Sequence, residues 1–174
     1  MVVKAIPDQN RTMKTYNILF LCTHNSARSV IGEVIASTQT NGKLIGYSAG
    51  SIPRTTVNPF AREIAIYMGY PVEKLRSKSW DEFALPDAPK MDFIITVCDN
   101  AAGEVCPVWI GNPVTAHWGF PDPSQAEGTD EEKRRAFKDV MLGLRRKIQL
   151  LAELPLDQLD QRIIPEKVRE LAQL

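Results

Sequence analysis

The chain has 174 residues, enough for one well-buried domain and short for two, and 44% hydrophobic with 24% charged residues is the balance of an ordinary globular protein. Its 21 Lys and Arg match its 21 Asp and Glu, so no overall charge draws it to nucleic acid or to an anionic membrane, and any anion must be held by a local site. No apolar run has the length of a membrane span or the form of a secretory signal, which makes a cytoplasmic setting the expectation.

Residues 1–14 are polar and are expected to form a loose leader, followed by one domain over 15–154 and a helical extension over 155–174. The run Ile18-Leu19-Phe20-Leu21 predicts a buried strand over Tyr16–Leu21. The turn Cys22-Thr23-His24-Asn25-Ser26-Ala27-Arg28-Ser29 then opens a helix carrying Val30, Ile31, Val34 and Ile35 and stopping at Asn41-Gly42. A second strand is expected over Leu44–Ser48, and Asn58-Pro59 caps and opens a helix that Gly69 stops. Ser79 caps a short helix around Trp80–Phe83; Asp92–Val97 and Val114–Trp118 are the third and fourth strands. Thr129 to Glu132 form a capping box before a helix using Phe137, Val140, Met141, Leu144, Ile148 and Leu151, ended by Pro155. A last amphipathic helix through Leu174 is expected to pack back on the domain. Strands alternating with helices predict an α/β fold: a single domain with a four-stranded parallel sheet and helices on both faces.

In such folds ligands bind beyond the carboxyl ends of the strands, where Cys22, Ser48, Cys98 and the segment after Trp118 all fall. The first-turn N–H groups of the helix after Cys22 lack intrahelical partners and sit at the positive end of its dipole, which suits a tetrahedral oxyanion. Thr23, His24, Asn25, Ser26, Ala27 and Arg28 would form the cradle with Cys22, Arg28 adding a planar fork of donors. The same field is expected to lower the Cys22 thiol from about 8.5 toward the roughly 3.5–7.5 range of helix N-termini. Three cysteines, an odd number, argue against a disulfide framework and for chemistry.

Cys-x5-Arg between strand and helix, with Asn25 and Ser29, Ser48-Ala49-Gly50 and Pro121-Asp122-Pro123, resembles the low-molecular-weight tyrosine phosphatase fold, which is flavodoxin-like, over about residues 15 to 152. The resemblance is closer to its thioredoxin-coupled arsenate reductase branch. The stretch Val97-Cys98 to Cys106-Pro107 looks like the segment that carries the redox pair there. In the phosphatase branch aromatic residues follow the Asp-Pro pair, whereas Ser124, Gln125 and Ala126 stand here, which favours an inorganic oxyanion over a phosphotyrosine ring.

The resemblance implies reduction of arsenate for arsenic detoxification. Cys22 attacks arsenic while Arg28 holds the anion, Ser29 steadies the thiolate and Asp122 protonates the departing oxygen. Cys98 and then Cys106 resolve the adduct, and an external dithiol, thioredoxin or else glutaredoxin with glutathione, restores the thiols. No cofactor is tightly bound, and a monomer is expected. Two other readings remain open: a phosphatase using Cys22, Arg28 and Asp122, and a non-catalytic oxyanion-binding redox sensor. Asn25, Glu33, Ser48, Ser79 and Asp81 match stretches that hold a monovalent cation in some related reductases, or they tie the loop by hydrogen bonds. No metal ion is assigned otherwise, since Cys98, Cys106 and one histidine do not make a four-ligand zinc set. His117 is expected as a hydrogen-bonded core residue and His24 as a spacer pointing away from the anion.

Overall fold

The computed structural model describes residues 14–104 and 107–174. Residues 1–13 of the expected leader, and Cys106, lie outside them.

Four strands, β1 (Tyr16–Cys22), β2 (Leu44–Gly50), β3 (Phe93–Thr96) and β4 (Val114–His117), form one parallel sheet in the order β2-β1-β3-β4. The register pairs Cys22 with Gly50 on one side and Leu21 with Thr96 on the other. The chain leaves β1 for β2, then returns across β1 to β3. Right-handed crossovers put the helix after β1 on one face of the sheet, and the connection from β2 to β3 crosses the other face once its own helix has packed beside the first. The reversal opens a crevice at the carboxyl ends of β1 and β3, the switch point of a doubly wound sheet.

The first face carries α1 (Arg28–Thr38), α4 (Asp130–Glu153) and α5 (Ile164–Glu170), with α2 (Pro59–Tyr67) against α1 and α4. Its core runs from Ile18 and Phe20 through Ile31 and Ile35 to Leu144, Ile148 and Val168. The second face has a thinner helical cover, the 3-10 turn Trp80–Phe83, with Tyr47 and Trp109 packed on Leu19, Leu21 and Ile94.

The caps lie where the sequence puts them. Asn58 Oδ1 accepts the Phe60 N–H at 2.9 Å, Ser79 Oγ the Asp81 N–H at 3.2 Å and Thr129 Oγ1 the Glu132 N–H at 3.2 Å; each such cap contributes about 1 kcal/mol. The chain past Pro155 returns to the domain, burying Ile164, Val168 and Leu171. Among the described residues no helix is long and apolar enough to cross a membrane.

Candidate active site

The loop between β1 and α1 is held from outside. The carbonyls of Thr23, His24 and Ser26 accept the N–H groups of Ile52 (2.8 Å), Arg54 (3.1 Å) and Asn58 (2.9 Å). Asn25 N donates to Cys22 Sγ at 3.2 Å. Ala27, the residue before α1, gives no side-chain cap to the first-turn N–H groups, so an anion can take that role. The approach of β2 requires a glycine: a Cβ on Gly50 would lie 2.5 Å from the Thr23 carbonyl oxygen and 2.9 Å from Asn25 N.

Asn25 bends the loop. Its φ of 47° is left-handed, a conformation asparagine tolerates better than most residues but which must be fixed by its surroundings. It is fully buried. Its Oδ1 accepts the Lys78 N–H at 2.9 Å and its Nδ2 donates to Ser29 Oγ at 2.9 Å. Ser29 Oγ in turn lies 2.9 Å from Cys22 Sγ. With its hydrogen-bond demand met from Asn25, the hydroxyl is free to donate to sulfur.

The electrostatics of Cys22 correct the sequence expectation. The residue is 4% exposed, and burial, the largest influence, pushes its thiol up. The Ser29 hydroxyl pulls it down, the Cys98 sulfur adds to the rise, and the N–H groups of Asn25 and Ser29 again pull down. Burial prevails, so the net shift of the Cys22 thiol is upward, opposed by the Ser29 hydroxyl and the two N–H groups that favour its anion.

Arg28 Nη1 donates to the Phe120 carbonyl at 2.8 Å, and Nη2 lies 3.7 Å from Asp122 Oδ2. Asp122 caps its own 3-10 turn, Pro123–Gln125, accepting the Ser124 N–H at 3.0 Å and hydroxyl at 2.7 Å. Partial burial raises its carboxyl, but the Ser124 hydroxyl and N–H and the Arg28 charge outweigh that and hold it below the usual carboxylate range.

Cys98 follows β3 and is 3% exposed. It precedes α3 (Asp99–Gly103), and its Sγ accepts the Ala101 N–H at 3.4 Å. Thr23 Oγ1, on the residue after Cys22, lies 3.7 Å from Cys98 Sγ and donates to Glu104 Oε1 at 3.4 Å. Cys22 and Cys98 are both free and buried, at the ends of neighbouring strands.

Of the cation candidates the structure brings Glu33 and Ser48 together, with Ser48 Oγ donating to Glu33 Oε1 at 2.8 Å. Lys78 supplies a positive charge there, its Nζ 3.5 Å from Glu33 Oε1 and 3.4 Å from Ser48 Oγ. Tyr70 donates its hydroxyl to Glu33 Oε2 at 2.6 Å. The Asn25 side chain is engaged by Lys78 and Ser29, while Ser79 caps the turn that contains Asp81. Among the described residues no group of three or more His, Cys, Asp and Glu gathers as metal ligands. Lys78 and Tyr70 had no signal in the sequence, since neither belongs to the Cys-x5-Arg spacing.

His24 turns aside, its Nδ1 3.0 Å from the Ile52 carbonyl. His117 bonds Thr96 Oγ1 through Nδ1 (2.8 Å) and Asp99 Oδ1 through Nε2 (2.9 Å), but its side chain is 37% exposed, so it edges the fold rather than the core.

A buried thiol that accepts a loop N–H ahead of a helix, in a Cys-x5-Arg turn whose arginine pairs with a carboxylate on a doubly wound parallel sheet, is the arrangement of a thiol-dependent oxyanion enzyme. A family model described as low molecular weight phosphotyrosine protein phosphatase matches residues 17–162. The arsenate reductase of Halalkalibacterium halodurans is 38% identical over 136 residues, 78% of this chain and 94% of that one. The chain belongs to the low-molecular-weight phosphotyrosine protein phosphatase family, in its arsenate reductase branch. Two solved structures share the fold. The thioredoxin-dependent arsenate reductase of Corynebacterium glutamicum matches with a TM-score of 0.53 at 23% identity, over 78% of this chain and 63% of that one. A low-molecular-weight phosphotyrosine phosphatase of Vibrio cholerae O395 matches with a TM-score of 0.59 at 19% identity, over 79% and 97%.

Proposed function

We propose that the protein reduces arsenate to arsenite by a relay through Cys22, Cys98 and Cys106, with an external dithiol of the thioredoxin class as electron donor. The observation that carries this reading is the convergence of two buried free thiols on one anion cradle, with Thr23 bridging toward Cys98.

Arsenate enters the cradle, its charge met by loop N–H groups and Arg28. Cys22 sulfur attacks arsenic; an S–As bond forms and one As–O bond breaks. The departing hydroxyl leaves as water with the proton that Cys22 gives up. Asp122, held as a carboxylate, is the carrier for that proton. Cys98 thiolate then attacks Cys22 sulfur. The S–S bond forms and the S–As bond breaks with its electron pair on arsenic, which falls from As(V) to As(III) and leaves as arsenite. Cys106 attacks Cys98, freeing the Cys22 thiol, and the donor dithiol reduces the Cys98–Cys106 bridge. The sum is one arsenate and one dithiol to one arsenite, one disulfide and water.

The test is arsenate-dependent NADPH consumption with thioredoxin and its reductase, set beside glutaredoxin with glutathione. Turnover with thioredoxin, lost in Cys106→Ser while p-nitrophenyl phosphate hydrolysis survives, supports the relay. Turnover with neither donor defeats it.

A further inference from the structure

We propose that the C-terminal helical segment, Ile164–Gln173, is a positioning element of the oxyanion site, acting through Trp118 and Lys147 on the loop that carries Phe120 and Asp122. This segment lies past residue 162, where the family match stops.

Two polar ties join it to the back of that loop. Trp118 is fully buried, and its indole N–H donates to the Val168 carbonyl at 3.0 Å. Lys147 on α4 is 6% exposed, and its ammonium donates to the carbonyls of Leu171 (3.0 Å), Ala172 (3.4 Å) and Leu174 (3.0 Å). A buried ammonium is costly unless its donors are met, so the segment's last turn fixes where that charge sits. The charge lies over the Phe120 ring, 5.7 Å from its centroid. The ring is also pressed on α4, where a Cβ on Gly143 would come within 2.6 Å of Phe120 Cε1.

From Phe120 the path to the reaction centre is one bond long. Its carbonyl holds Arg28 Nη1, and Asp122 follows two residues later, 3.7 Å from Arg28 Nη2. Filling the core would require only the apolar side chains of the segment, Ile164, Val168 and Leu171. The buried lysine and the indole tie add a constraint on the loop that presents the Arg28 acceptor and the acid. The inference rests on the oxyanion site of the proposed reductase, but its test does not need turnover.

The full-length protein is compared with Lys147→Met, Lys147→Arg and Trp118→Phe. Inorganic phosphate is the probe, read as protection of Cys22 from iodoacetamide by peptide mass spectrometry, followed by KM and kcat for arsenate. Lys147→Met is expected to weaken phosphate protection about five- to tenfold. Its alkylation rate without phosphate should stay within about twofold of wild type, because nothing touching Cys22 has changed. Lys147→Arg should recover most of the affinity, and Trp118→Phe should shift it in the same direction by less. In turnover, KM should rise more than kcat falls. A folded Lys147→Met with wild-type phosphate protection overturns the proposal, as does failure of Lys147→Arg to restore it. If Lys147→Met does not fold, Trp118→Phe decides by the same measurement. Wild-type protection by phosphate without arsenate turnover would reject the reductase reading and leave this one to stand or fall on the variants.

Discussion

The cradle around Cys22 and the segment that begins at Cys98 adjoin each other, yet they are held very differently. The cradle is fixed at four successive residues and from the neighbouring strand: three carbonyls tied to residues 52–58, Asn25 locked between Lys78 and Ser29, and Gly50 admitting no side chain. The Cys98 segment is a five-residue helix held by sulfur contacts of 3.4 and 3.7 Å, by Thr23 on Glu104, by the buried Ala101 and by an Asp99–His117 pair whose acidic side chain is 93% exposed. Exposed pairs of that kind stabilise little. An anion site gains from being set before the substrate arrives, because preorganised donors need no rearrangement during reaction. A thiol that must meet one sulfur and then another gains from a segment that opens at low cost.

Substitutions in the two regions should therefore fail in different ways. The largest effect is expected from Cys22→Ser, which removes the nucleophile: arsenate reduction should fall by at least about 10³-fold with the melting temperature nearly unchanged. Asn25→Ala leaves the buried Lys78 N–H without its acceptor and a left-handed alanine in the loop. We expect a loss of about 2–4 kcal/mol in urea unfolding and weaker phosphate binding. Stability near wild type would show the cradle to be less constrained than its bonds imply.

The pH dependence follows from the sign at Cys22. A thiol raised by burial has little thiolate at neutral pH, so alkylation should climb with pH and keep climbing past the range of an ordinary cysteine. Ser29→Ala removes a hydrogen bond that favours the thiolate. It should move the profile further to alkaline pH and slow alkylation at neutral pH by about fivefold, the worth of about 1 kcal/mol. A profile shifted to lower pH would mean that the hydroxyl is not a donor to sulfur. The smallest effect belongs to the other region. Asp99→Asn should change arsenate turnover by less than about twofold while speeding hydrogen exchange of the α3 amides. Unchanged exchange would place the hold on that helix elsewhere.

Much of this was legible in the sequence. Four apolar runs, the Asn58, Ser79 and Thr129 caps and the Cys-x5-Arg spacing are local signals, and each appears in the structure within a residue or two of where the pattern puts it. What was not legible depends on residues distant in sequence. Lys78 reaches Glu33 and Asn25 because the chain after α2 passes beneath the loop. Arg28 is anchored by a backbone carbonyl, which no side-chain pattern can show. The helix terminus argued for a lowered Cys22, but the dipole is a local term and burial is set by the whole fold.

The sulfur of Cys98 is the N-cap of its own short helix. In the proposed relay, bonding that sulfur to Cys22 weakens the acceptor of the Ala101 N–H, so the first turn of the helix loses much of its cap at the step that forms the disulfide.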